Sequence, residues 1–234
     1  MRTFKIIAAL ITVATWATAA SAGLILDVRL ADSSKAANVS ASDVVHLQLW
    51  VKVSGSDGNY LNEGLSSGYT SFLATNDGAN PRLHGNLGNP VNLAPWDNAS
   101  QTGTVQELNA DGDLDIGTTT MSTTTGWFKY RGTSLPIWWT NASSPAQWEV
   151  GTFTFTVGSG AAPGQKVDIN AAIRAYTGID YLRYEDGLLL SGYAGVEPGE
   201  KVVLTVIPEP ATLALLALGG LGVLLKRRRR TAPR

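Results

Sequence analysis

Between residues 23 and 206 the chain alternates apolar and polar residues in short runs. Val45, Leu47, Leu49, Val51 and Val53 interleave with His46, Gln48, Trp50 and Lys52, the period of two that marks a strand with one buried face. Thr152-Phe153-Thr154-Phe155-Thr156-Val157 repeats the pattern, directing Phe153, Phe155 and Val157 inward and the threonines outward. Further strands are expected at 24–30, 69–74, 167–175, 188–193 and 201–206. Clusters of Gly, Ser, Asn, Asp and Pro at 54–59, 75–81, 158–164 and 197–200 separate them. No long segment of period 3.6 interrupts this body, although 85–148 is poorly periodic and is expected to hold some short helical turns. Many short strands divided by turns predict an all-β domain, an antiparallel β-sandwich or jelly roll.

The two ends break the pattern. Arg2 and Lys5 precede an apolar run at 6–20, and Ala20-Ser21-Ala22 has the small-x-small form that a signal peptidase accepts. A signal peptide over 1–22 is therefore expected, cut between Ala22 and Gly23. At the other end Pro208, Glu209 and Pro210 lead into fifteen apolar residues, 211–225, followed by Lys226, Arg227, Arg228, Arg229 and Arg230. Fifteen residues make ~22 Å of helix at ~1.5 Å per residue, against a hydrocarbon core of ~30 Å. The basic cluster can snorkel and hold its end on the cytoplasmic side. The segment has no polar face beyond Thr212, so a transmembrane helix at 211–225 is expected rather than a buried core helix.

Pro208-Glu209-Pro210, the apolar run and the terminal basic cluster together resemble the PEP-CTERM protein-sorting signal. The resemblance implies a sorting segment at 207–230, temporary membrane anchoring, processing near the Pro-Glu-Pro motif by an exosortase, and delivery to the surface or extracellular matrix of a Gram-negative-type bacterium. Within the body, the segments DVVHLQLWVKVSG at 43–55 and WEVGTFTFTVGSGAAPGQ at 148–165, with the Asp-rich insert between them, resemble a cohesin-like sandwich of the carbohydrate-binding-module type. That resemblance implies about nine strands in two sheets, and binding without catalysis.

The ends also carry nearly half of the positive charge. The formal total of −1 combines eight basic residues and Glu209 in the two ends with a body, 23–207, that holds ten basic and eighteen acidic residues. A body near −8 argues against a nucleic-acid partner and is compatible with divalent cations outside the cell. The absence of cysteine excludes disulfides, thiolate metal sites and a cysteine nucleophile.

Candidate chemistry concentrates in one segment. Glu107, Asn109, Asp111, Asp113 and Asp115 place oxygen groups at alternate positions, with Gly112 sixth in the series, the spacing of an EF-hand-type loop whose side chains converge on Ca²⁺. The first position is Glu rather than Asp, and the twelfth is Thr118 rather than an acid. A minimal calcium loop and a solvated acidic turn both fit. Trp50 falls on the strand face opposite the core, where a flat indole can stack on a sugar ring. Packing is the competing role for it and for Trp96, Trp127, Trp138, Trp139 and Trp148, and the Trp138-Trp139 pair can place only one ring inward. His46 and His84 read as surface histidines. No nucleophile elbow, zinc helix or phosphate loop occurs, and Asp180, Glu185 and Asp186 read as turn acids.

The expectation is an exported, non-catalytic surface or matrix protein, structural or binding, with a polysaccharide or another surface protein as partner. A carbohydrate-binding module proper is the alternative. An exported hydrolase using Asp180 or Glu185 is the third reading.

Overall fold

The computed structural model describes residues 23–76, 78–99, 103–118, 126–173 and 181–208. The expected signal peptide, Glu209, Pro210, the apolar run 211–225 and the basic cluster lie outside the described residues. So does Asp180.

The alternation at 45–53 folds as β3 (Val44–Ser54), which buries Leu47, Leu49, Val51 and Val53 completely. Its neighbours are β1 (Gly23–Leu30) and β10 (Ala146–Val157), both antiparallel to it over most of its length. β5 (Gly85–Asn92) and β14 (Val196–Pro198) complete a five-stranded sheet in the order β14-β1-β3-β10-β5. A bulge between Glu149 and Gly151 shifts the register of β10 against β3. In β10, Phe153, Phe155 and Val157 face inward as the alternation predicts. Thr154 is buried as well, donating to the carbonyl of Gly88 at 3.3 Å.

The second sheet is organised by β4 (Gly64–Thr75). This strand pairs with β11 (Lys166–Ala172) over Ser71–Thr75 and with β12 (Leu182–Glu185) over Gly64–Ser67. It also pairs with β7 (Asp115–Ile116), β8 (Phe128–Arg131) and β9 (Ile137–Trp138). β6 (Val105–Gln106) adds to β7, β13 (Leu188–Ser191) to β12, β15 (Val202–Val206) to β11, and β2 (Ala36–Val39) to β15, giving ten strands. The two sheets close on one core: Phe72 of β4 stacks on Phe153 of β10 at 4.2 Å between ring centroids and meets Phe128 of β8 edge-on at 5.3 Å.

Three features differ from the expectation. Fifteen strands are present among the described residues rather than about nine, and eight of the fifteen are four residues or shorter. Two edge pairings, β1 with β14 and β15 with β2, are parallel within an otherwise antiparallel sandwich. The segment 85–148 holds five strands instead of helical turns, and among its described residues there is no helix; the single 3₁₀ turn among the described residues lies at Tyr60–Asn62. The reason for the last is visible in β5. As an edge strand with one neighbour it accommodates Pro90, Gly85 and Gly88 without a missing ladder bond on a second side, so its sequence carries no apolar alternation to read.

Candidate functional site

The acidic loop between β6 and β7 is built around internal partners. Arg82 pairs with both Asp111 and Asp113, the latter at 2.8 Å, and His84 Nδ1 lies 3.0 Å from the other oxygen of Asp113. Asp115 is fully buried and accepts the backbone amides of Ala74, at 2.9 Å, and Leu108, at 3.2 Å. Glu107 accepts the amide of Gly112 at 2.8 Å, and Asp111 that of Asp113 at 3.0 Å. Burial would raise the Asp111 carboxyl, but the hydrogen bond and charge of Arg82, the Asp113 amide and the Asn109 side chain together outweigh it and hold the group below the usual carboxylate range. Burial pushes Asp115 up to about 6, with the charges of Asp111 and Asp113 adding to the shift. The residues of the expected calcium loop are thus neighbours, but their carboxylates turn to a guanidinium, an imidazole and backbone amides rather than to one common point. Alternate spacing cannot reveal an arginine some thirty residues upstream.

Carboxylates do converge elsewhere. Asp57 follows β3, Glu63 immediately precedes β4, and Asp186 sits in the tight turn between β12 and β13; one oxygen from each lies within 4.8 Å of the others. The backbone holds Asp186 at φ 52° and Gly187 at φ 75°, the paired left-handed conformation of a two-residue hairpin. Its carboxylate accepts the Ser56 amide at 3.0 Å, the Ser56 hydroxyl at 2.6 Å and the Asp57 amide at 3.2 Å. Glu63 is 1% exposed and accepts the amide of Asp186 at 3.1 Å. Burial pushes its carboxyl up to about 6; the Asp186 amide opposes that shift, and the charges of Asp186, Asp57 and Glu185 reinforce it. Sequence reasoning missed this grouping because Glu63 and Asp186 are 123 positions apart. The readable part of its signal was the Gly55-Ser56-Asp57-Gly58 turn ahead of a lone glutamate.

Trp50 lies on the outer face of the five-stranded sheet, half-buried, with the Arg29 guanidinium 4.7 Å above its ring and Nε1 donating to Gln48 at 3.1 Å. Trp96, Trp127 and Trp148 are buried. Of the adjacent pair, Trp139 packs edge-on against Trp148 at 5.6 Å, whereas Trp138 is 42% exposed and rests on Tyr184 at 4.8 Å. Glu185 is buried against Arg183, a pairing that satisfies its charge inside the fold.

A cleft of about 340 Å³ opens beside β4 and β8, lined by Tyr69, Asn98, Lys129, Arg131 and Leu135 among others. Lys129 sits 5.6 Å from the Tyr69 ring centroid, and burial lowers its pKa. Two cations and an aromatic ring in one hollow stand out on a body with an eight-charge acidic excess. These positions carried no sequence signal, since strand pairing alone brings 69 beside 129.

The last strand leads straight out of the sandwich. Ile207 donates to the carbonyl of Val39 at 3.0 Å, and Pro208 follows with no backbone donor to offer. Residues 206–230 match the PEP-CTERM protein-sorting motif. The PEP-CTERM segment therefore begins within β15, and it implies export, membrane anchoring at the C-terminus and processing by an exosortase. Among the described residues no helix is long and apolar enough to cross a membrane. No curated protein matches the chain.

Among the solved structures with some similarity are three cohesins. A type III cohesin module from the cellulosomal ScaE cell-surface anchoring scaffoldin of Ruminococcus flavefaciens is 15% identical, with a TM-score of 0.38, over 80% of this chain and 89% of that one. The third cohesin ScaC of Acetivibrio cellulolyticus, solved with the ScaB dockerin, is 13% identical, with a TM-score of 0.36, over 79% and 99%. The sixth cohesin of scaffoldin B from the same organism, in complex with a dockerin, is 18% identical, with a TM-score of 0.31, over 79% and 99%.

Proposed function

We propose that this is an exported, exosortase-sorted protein whose acidic β-sandwich serves on the cell surface or in the extracellular matrix as a non-catalytic structural or binding module. The observation that carries the reading is the PEP-CTERM motif joined directly to the final strand of the sandwich. An export leader at 1–22, cut between Ala22 and Gly23, and temporary anchoring through 211–225 belong to the same reading. Mass spectrometry of the protein from cells and medium tests it. The expected product starts at Gly23 and ends near Pro208, and recovery in every fraction with Pro208 still joined to 211–225 would overturn the processing.

The cleft favours a polysaccharide as the bound partner. Lys129 and Arg131 supply charge for an acidic sugar, and the Tyr69 ring offers an apolar face for its C–H surface. Trp50 on the opposite sheet is a second platform of this kind, with Arg29 covering one of its faces. In affinity electrophoresis through the producing bacterium's exopolysaccharide the protein should be retarded. Combining Lys129→Ala with Arg131→Ala should release it, and unaltered migration of the wild type would count against a polysaccharide ligand.

A further inference from the structure

The cluster of Asp57, Glu63 and Asp186 contains an atom that the protein itself leaves unsatisfied. Glu63 is 1% exposed, and while its Oε1 accepts the Asp186 amide, its Oε2 is buried with no hydrogen-bond partner. The side chain of the preceding Asn62 donates to Asp57 at 2.7 Å, and its Oδ1 atom is also buried and unpartnered. A buried carboxylate oxygen without a donor costs a large desolvation energy unless something positive meets it. The ion pairs among the described residues leave Asp57, Glu63 and Asp186 out.

The backbone around the cluster is shaped to let these oxygens approach. A Cβ at Gly55 would collide with both Asp186 Oδ1 and Glu63 Oε1, so glycine there permits two carboxylates to crowd one stretch of main chain. Asp186 is held by the amides of Ser56 and Asp57 and the Ser56 hydroxyl, and Asp57 by the Asn59 amide and the Asn62 side chain, each at 2.7 Å. These donors fix where the carboxylates point without neutralising three negative charges within 4.8 Å.

We propose that Asp57, Glu63 and Asp186, with the amide oxygen of Asn62, form a divalent-cation site of the calcium class that ties the β3–β4 connection to the β12–β13 hairpin. Oxygen donors alone select a hard cation. Carboxylates from two segments far apart in sequence, the β3–β4 connection and the β12–β13 hairpin, make the ion a cross-link between them, so its binding stabilises the folded state by mass action.

The test is thermal unfolding of the full chain after chelation, titrated with CaCl₂ into the millimolar range, for the wild type and for Glu63→Gln, Asp57→Asn and Asp111→Asn. The wild type should gain about 5 °C at saturation. Asp111→Asn, in the other acidic loop, should gain as much. Glu63→Gln and Asp57→Asn should lose the response, and chelated Glu63→Gln should melt no lower than the chelated wild type, because it removes an uncompensated buried charge. That last comparison separates metal ligation from a purely structural role. No calcium response in the wild type, or a response that survives Glu63→Gln and Asp57→Asn or disappears in Asp111→Asn, would overturn the proposal.

Discussion

The amide of Ile207 donates to the carbonyl of Val39 at 3.0 Å, and this bond sits immediately ahead of the exposed Pro208. The sandwich is therefore complete one residue before the Pro-Glu-Pro motif. A chain ending at Ile207 should melt within about 1 °C of the longer one. A chain ending at Lys201 loses β15 and with it Val202, Leu204 and Val206 from the core, and should not show a cooperative transition. Circular dichroism melts compare the two directly, and a destabilised Ile207 chain would show that the motif contributes to the fold.

Phe153→Ala should cost about 3–5 kcal/mol, because it removes a fully buried ring and leaves Phe72 without its stacking partner. Thr156→Ala on the exposed side of the same strand should stay within about 0.5 kcal/mol. Urea unfolding of both variants measures the contrast, and similar losses would place the core elsewhere.

Arg82→Ala should destabilise by about 3 kcal/mol, since it strips the countercharge from the buried Asp113 and from Asp111. Arg82→Lys should recover part of that loss but not all of it, a single ammonium replacing a guanidinium that serves two carboxylates. Equal stability of Arg82→Ala and the wild type in denaturant titration would show the pair to be a surface contact of little weight.

Asp115 gives the protein a defined pH dependence. Its folded pKa, raised to about 6 by burial, lies above the unfolded value of about 4. The folded state thus binds the proton more tightly, so this contribution to stability is fully present below about pH 4 and is lost as pH rises through about 6. Glu63 is shifted the same way, so the informative quantity is the difference between wild type and Asp115→Asn. The variant should lose about 1 kcal/mol at low pH, where one acceptor for the Leu108 and Ala74 amides is gone. Its melting temperature should then fall less steeply than that of the wild type between pH 4 and 6. Parallel curves would remove Asp115 as the source.

How much of this was legible beforehand follows burial. β1, β3, β10, β11 and β15 sit in sheet positions with one face against the core, and their apolar alternation shows it. The leucines of β13 mark it as a strand, yet Leu188, Leu189 and Leu190 are exposed, so an apolar run locates the strand but not its environment. β5 and β8 are set by their neighbours rather than by their own pattern. The loop at 107–115 was legible as a cluster of acids, whereas its guanidinium partner Arg82 and the outward role of Asp57 and Asp186 were not.

The sequence by itself determined the fold class, the acidic character of the body and the sorting segment at its end. Period-two burial, summed charge and an ordered terminal motif are all local properties of a chain. Only the tertiary structure decided which carboxylates meet a cation within the protein and which are left to find one outside it. Glu63 and Asp186 become neighbours because β4 pairs with β12, and Arg82 reaches Asp113 through the packing of the intervening loop. Such meetings are products of strand register, which a linear spacing of side chains does not contain.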